Sequence, residues 1–186
     1  MAYPTSLPLG FAAFSGTGKT TLLSKLVPVL QQGDLQVGVI KYSHHDFEID
    51  QPGKDSHRLR QAGATPVMLV SPYRRAIISE FTPPREISLA EELAAFPAEG
   101  IDLILVEGFR NAAFPKIELH RPSLNKPLLY PSDPYIIAIA SDQPLSGVPA
   151  NITQLDLNDV AQIAAFIVTV FLKKPDATTL SKACRD

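Results

Sequence analysis

The stretch AFSGTGKTT, residues 13–21, concentrates the residue types that handle phosphate. Gly18, Lys19 and Thr20 match the end of the pattern G-x-x-x-x-G-K-[ST], and only the opening glycine is replaced, by Ala13. Alanine adds one methyl where a strand turns into the loop, and it fails only if that position needs a positive φ. Gly16 and Gly18 let backbone N–H groups curl toward an anion. Lys19 supplies a point charge for β- and γ-phosphates, Thr20 a hydroxyl for Mg²⁺, and the start of the following helix a partial positive charge. The competing reading is an ordinary glycine-rich turn.

A triphosphate needs Mg²⁺, and Mg²⁺ needs carboxylates nearby. Glu107, beside Gly108 at the end of the very apolar run DLILVEG, is the best candidate. Thr20 and Glu107 are therefore the expected metal residues; glutamate in place of the commoner aspartate suggests contact through water. Asp46, Asp50 and Asp55 follow the second expected strand and could orient water or complete the metal shell; each could equally be a solvated loop charge. Lys19, Asp46, Asp50 and Glu107 make up the candidate catalytic set.

Lys41-Tyr42-Ser43-His44-His45-Asp46 invites a metal reading. Adjacent histidines on a strand point to opposite faces, so they chelate poorly unless they lie in a loop. A transition-metal site would need His57, His120 or carboxylates as well. Contact with phosphate or an anionic partner is the better use for Lys41 and the histidines.

These residues must be positioned by strands and helices. LPLGFAAF (7–14) reads as a buried strand, and Leu22, Leu23, Leu26, Val27 and Leu30 recur at helical spacing after Lys19. Pro28 inside that pattern predicts a kink or early end, and Gly33-Asp34 closes the element. LQVGVIKY (35–42) is the next strand, so the start of the chain is a βαβ unit with parallel pairing. DSHRLRQAG (55–63) reads as a short helix with Asp55 or Ser56 near its N-cap and Gly63 at its C-cap. PVMLVS (66–71) and AIISEF (76–81) form an expected antiparallel hairpin that extends one sheet edge. SLAEELAAF (88–96) carries a capping-box pattern, Ser88 with Glu91. DLILVEG (102–108), PKIELH (115–120) and YIIAIAS (135–141) are further strands. LNDVAQIAAFIVTVFL (157–172) is a closing helix that Asn158 can cap.

The fold class that follows is α/β, a mostly parallel central sheet flanked by helices, with an antiparallel hairpin extension. Ligands in such sheets sit at the carboxyl ends of strands, where the loops above converge. The 186 residues fit one nucleotide-binding domain over 1–172 with a flexible tail at 173–186.

A net charge of −2 argues against a general attraction to nucleic acid or anionic membranes. One cysteine, Cys184, allows neither an internal disulfide nor a cysteine zinc cluster. MAYPTSLPLG lacks the basic residues and apolar run of a signal peptide, and no stretch is long enough to span a bilayer. The expectation is a cytoplasmic protein.

FAAFSGTGKTTLL, KYSHHDFEIDQPGKDSHRLRQAGA, DLILVEGFR and IAIASD, in this order over the first 170 residues, resemble the molybdopterin-guanine dinucleotide biosynthesis adapter (MobB) family, a branch of the P-loop GTPases. The 41–64 block is more specific than the phosphate loop alone. The resemblance implies a dimeric GTP-binding protein with weak GTPase activity that assists the enzyme attaching GMP to molybdopterin. GTP and Mg²⁺ are the implied cofactors. A molybdenum cofactor guanylyltransferase is the implied partner, with a molybdopterin-type cofactor as a further one. The implied nucleotide contacts are Ala13, Ser15, Gly16, Thr17, Gly18, Lys19, Thr20 and Thr21, with guanine read at Ala140-Ser141-Asp142. A carboxylate can accept two hydrogen bonds from guanine N1 and N2. The usual N-K-x-D guanine motif is absent there; only its acid is retained. Asn125-Lys126-Pro127-Leu128 imitates the motif but lacks the acid and follows no expected strand. Some related dimeric ATPases carry an extra lysine early in the loop, where this chain has Phe14 and Ser15. That departure fits slow hydrolysis. Arg58, Arg60, Arg74, Arg75 and Arg110 read first as solvated surface charges.

Three functions compete on this reading. The first is a GTP-binding adapter whose 43–56 loop is ordered by nucleotide and which forms a symmetric dimer through the 66–81 hairpin. The second is a small-molecule phosphotransferase with Asp46 or Asp50 as base. The third is a metallochaperone using His44 and His45.

Overall fold

The structure, a computed structural model, describes residues 6–174. Cys184 and most of the expected tail lie outside the described residues. The chain divides into two compact units, one formed by the segments up to Tyr42 and from Phe96 onward, the other by Ser43–Ala95.

The first unit is built on a six-stranded sheet of order β2-β5-β1-β6-β7-β8. Its strands are β1 (Leu7–Ala12), β2 (Val37–Lys41), β5 (Leu103–Glu107), β6 (Lys116–His120), β7 (Ile136–Ser141) and β8 (Thr153–Asp156). Every pairing is parallel. β8 was not expected: TQLD is short and polar, and only Leu155 is buried, so it carries no periodic signal. In the middle of the sheet, Leu103, Ile104, Leu105 and Val106 are all fully buried. Burial on both faces is why β5 reads as an unbroken apolar run. On one face, Leu9, Phe11, Leu105, Ile117 and Leu119 share a core with α1 (Lys19–Gln32) and α4 (Val160–Phe166).

α1 runs through Pro28 to Gln32, so the expected early end does not occur. Leu26 and Leu30, on either side of the proline, are fully buried, and their packing outweighs the lost hydrogen bond. The closing helix starts later than the sequence suggests. Its cap is Asp159, whose carboxylate accepts from the Gln162 N–H at 2.9 Å, not Asn158. Asn158 belongs to the loop between β8 and α4. Beyond Phe166 the helix widens into a π-helical turn, Ile167–Phe171.

The second unit holds α2 (Asp55–Gln61), β3 (Val67–Val70), β4 (Arg75–Ile78) and α3 (Leu89–Ala95). β3 and β4 form the expected antiparallel pair, but as a separate two-stranded sheet, not as an edge of the large one. The cap of α2 is Lys54, which leaves Asp55 in the first turn, and Gly63 takes a left-handed φ of 100° just past the last turn. Glu91 departs from the capping-box reading: its carboxylate pairs with Arg85 at 2.6 Å, next to Glu92 at 2.7 Å. Among the described residues no helix is long and apolar enough to cross a membrane.

Candidate functional site

Parallel strands all deliver their carboxyl ends to one edge of the sheet. In the first unit that edge carries Ala13 after β1, Lys41 at the end of β2, Glu107 at the end of β5, Arg121 after β6 and Asp142 after β7. The phosphate loop joins β1 to α1. Gly16 takes φ 83° and Gly18, the N-cap of α1, φ 99°. A Cβ at Gly16 would meet nothing within 4 Å, so the need for glycine there is conformational, not steric. Ala13 is not among the residues with positive φ, so its methyl imposes no backbone strain.

Lys19 folds back over its own loop, donating to the Ala13 carbonyl at 3.2 Å. Thr17 is buried and donates its hydroxyl to the Phe14 carbonyl at 2.8 Å, so its side chain braces the loop. Thr20 faces Glu107: the hydroxyl donates to Oε1 at 3.4 Å, while Lys41 Nζ lies 3.4 Å from Oε2. Glu107 pairs in register with Phe11 of β1 and Lys41 of β2, and these pairings aim its carboxylate at the start of α1. Gly108, at φ 101°, turns the chain directly after it; a Cβ there would stand 2.7 Å from Tyr42 Cβ. A hydroxyl and a carboxylate oxygen this close suit a hard, oxygen-seeking cation such as Mg²⁺.

The opposite flank of the loop belongs to Arg121, which the sequence reading missed. Its Nε donates to the Thr17 carbonyl at 3.0 Å and its Nη1 to Asp142 Oδ2 at 2.6 Å. The signal was available: Arg121 directly follows PKIELH, an expected strand, so its place at a carboxyl end was readable. Asp142 Oδ1 is buried and has no hydrogen-bond partner. Ser141 is buried, and its hydroxyl accepts from the Gln143 N–H at 3.3 Å. A cleft runs from the phosphate loop past Arg121 to the β8–α4 loop, lined by Gly16, Gly18, Thr21, Arg121, Asn158 and Val160. Beneath it, burial holds the His120 imidazole below its ordinary pKa, partly offset by Asp142.

On the far side of the loop, Arg110 and Lys126 stand over the Phe14 ring at 4.9 and 6.0 Å. Arg110 is exposed, as expected, and stands beside the loop. Asn125 closes a short 3₁₀ turn with φ 49°, which accounts for the residue without a guanine motif. Close by, Glu118 is buried and accepts from the Leu129 and Tyr130 N–H groups at 2.8 and 2.9 Å. Desolvation raises its pKa despite those bonds.

The remaining sequence candidates lie in the second unit. Asp50 accepts from Ser56 at 2.9 Å and lies 3.7 Å from Arg60 Nε. Arg60 is no solvated charge: its side chain is 7% exposed and also pairs with Glu80 and Glu48, whose hydrogen bonds raise its pKa, Glu80 foremost. Asp46 accepts from the Phe47 N–H at 2.9 Å and is exposed. Asp55 sits in the first turn of α2. His44, His45 and His57 join no cluster: among the described residues, no three histidine, cysteine or carboxylate side chains gather to hold a metal.

Residues 8–142 match the family model described as Molybdopterin guanine dinucleotide synthesis protein B. The chain is 43% identical over 170 residues to the molybdopterin-guanine dinucleotide biosynthesis adapter protein of Escherichia coli K12, covering 90% of this chain and 95% of that one. It is 44% identical over 160 residues to the protein of the same name from Haemophilus influenzae, covering 86% of each. Among solved structures it superposes on a molybdopterin-guanine biosynthesis protein B with a TM-score of 0.63 at 24% identity, over 88% of this chain and 99% of that chain. It superposes on a MobB homologue from Bacillus stearothermophilus with a TM-score of 0.65 at 20% identity, over 89% and 97%. At these identities the structural likeness speaks for the fold.

Proposed function

The chain belongs to the molybdopterin guanine dinucleotide synthesis protein B family, and from that premise we infer that it is an adapter in molybdopterin-guanine dinucleotide biosynthesis that works as a GTP-binding protein. The observation that carries the nucleotide part is the junction of Thr20 with Glu107 beside a phosphate loop built on two left-handed glycines. Lys19 and the loop N–H groups would hold the phosphates. Thr20 and Glu107 would hold Mg²⁺, which supplies charge neutralisation for the β- and γ-phosphate oxygens. Lys41 keeps Glu107 turned toward that position. Asp142 and Ser141 would read the base.

Hydrolysis is expected to be slow. The loop offers Phe14 and Ser15 where related dimeric ATPases place a second lysine, and Asp50 is tied to Ser56 and Arg60. The proposed partner is the guanylyltransferase that attaches GMP to molybdopterin. A homodimer is proposed through the hairpin, where Met68, Val70 and Ile77 are 56%, 71% and 57% exposed.

Titration of labelled GTP and ATP with Mg²⁺, repeated with Lys19→Ala and Asp142→Ala, tests the nucleotide reading. GTP preference that is lost in Asp142→Ala is the expected result; equal affinities unaffected by it would sink the guanine assignment. Co-purification of the guanylyltransferase from cells tests the adapter role. Rapid turnover on adding a small acceptor would point to a phosphotransferase instead.

A further inference from the structure

Arg121 reaches both ends of the proposed nucleotide site. Nε holds the Thr17 carbonyl of the phosphate loop, and Nη1 holds Asp142. Nη2 lies 4.0 Å from where a Cβ on Gly18 would stand, and the side chain lines the cleft with Gly16, Thr21 and Lys25. Asp142 meanwhile is half satisfied: Oδ2 is engaged by the guanidinium, and Oδ1 is buried without a donor. A buried carboxylate oxygen left this way is costly.

Two competitions follow from this geometry. Guanine N1–H and N2–H could satisfy both oxygens of Asp142, but only by taking Oδ2 from Arg121. A phosphate beside Gly18 would give Arg121 another anion, and guanidinium–phosphate pairs are charge-assisted and often bidentate. We propose that Arg121 is a nucleotide-binding residue that works by exchange: its guanidinium passes from Asp142 to a nucleotide phosphate as the base takes Asp142. Base and phosphate binding are then coupled, because each removes the other's competitor. Adenine has an acceptor at N1 where guanine has a donor, so it cannot replace the guanidinium with a pair of donors. The inference rests on the nucleotide-binding reading of the loop.

Pyrophosphate has no base, so it isolates the phosphate half. Its affinity for the full chain is measured by calorimetry with Mg²⁺, alongside that of GDP. Arg121→Ala is expected to weaken pyrophosphate about ten-fold or more. Asp142→Asn and Asp142→Ala are expected to do the opposite, tightening pyrophosphate several-fold while weakening GDP. In an Arg121→Ala background the Asp142 substitutions should no longer change pyrophosphate affinity. Arg121→Lys, which keeps the cation but loses the fork, should fall between.

The exchange is overturned if the Asp142 substitutions leave pyrophosphate unchanged or weaker, or if they tighten it equally without Arg121. In the latter case only the lost negative charge matters. Wild-type affinity for pyrophosphate in Arg121→Ala would also overturn it. Failure of the underlying readings looks different. Pyrophosphate binding that is indifferent to Lys19→Ala would bring down the phosphate loop itself. Equal wild-type affinity for GDP and ADP would bring down the guanine assignment.

Discussion

β5 and the β3–β4 hairpin are written in nearly the same alphabet, LILVE against VMLV and RAII, yet they meet opposite fates. β5 lies between β2 and β1, and its four apolar residues are completely buried. The hairpin has no strand beyond its own pair, and its residues alternate between half-buried and exposed, with Val70 at 71% and Tyr73 at 91%. The first unit stabilises itself by burying apolar surface. The second has polar links around Arg60 and leaves Met68, Val70 and Ile77 exposed, with Leu89 its buried apolar residue. The main buried core and the exposed apolar face thus lie in different units, and an apolar run reports burial only when it has neighbours on both sides.

The largest effects should break this contrast. Leu105→Ala in β5 is expected to cost about 2–5 kcal/mol in chemical denaturation, through lost transfer energy and a cavity. Ile77→Ser in β4 should change monomer stability by only about 0.5 kcal/mol, while weakening self-association in sedimentation if the hairpin is the dimer surface. A large stability loss from Ile77→Ser would instead make the hairpin part of the core.

Smaller effects should separate letters within the phosphate loop. Gly18→Ala forces a side chain into φ 99°, at about 1–2 kcal/mol of strain visible in thermal melting, and should weaken nucleotide binding. Ala13→Gly relieves nothing and should leave nucleotide affinity within about two-fold, since φ at that position is already unstrained.

The smallest expected effect concerns pH. His120 has a folded pKa below its ordinary 6.5, because burial disfavours the imidazolium. The unfolded chain therefore binds the proton more readily. The stabilisation is fully present above pH 6.5 and is lost as pH falls below it through the folded value. His120→Gln should flatten stability across that acid range. An unchanged pH profile would show that His120 does not titrate differently on folding. Glu118 works in the other direction: its raised pKa favours the folded state at acid pH and ceases to do so as pH rises through the folded value.

Much of the site was legible because its grammar is local. A loop of nine residues dictates its own shape, since glycines at two positions permit left-handed turns and a lysine and threonine follow on the first helical turn. Glu107 was legible because an apolar run ending in an acid places that acid at a sheet edge. The misses have separate causes. Arg121 and Asp142 are 21 positions apart and meet only because β6 and β7 are neighbours. Asn158 has the residue type of a cap, but the short polar β8 before it carries no periodic signal, so the sequence does not mark that the helix starts later, at Asp159. The pairing of the hairpin is legible but its separation from the large sheet is not, because strand pairing is local and sheet membership is not.

By itself, then, the sequence determined the family, the phosphate loop and the elements that flank it, for these depend on residues within a few positions of one another. Only the tertiary structure decided which strand ends share the edge beside that loop. The order β2-β5-β1-β6-β7-β8 sets Glu107 and Lys41 on one flank and Arg121 with Asp142 on the other. That order comes from long-range burial of apolar faces, which no short stretch of the chain encodes.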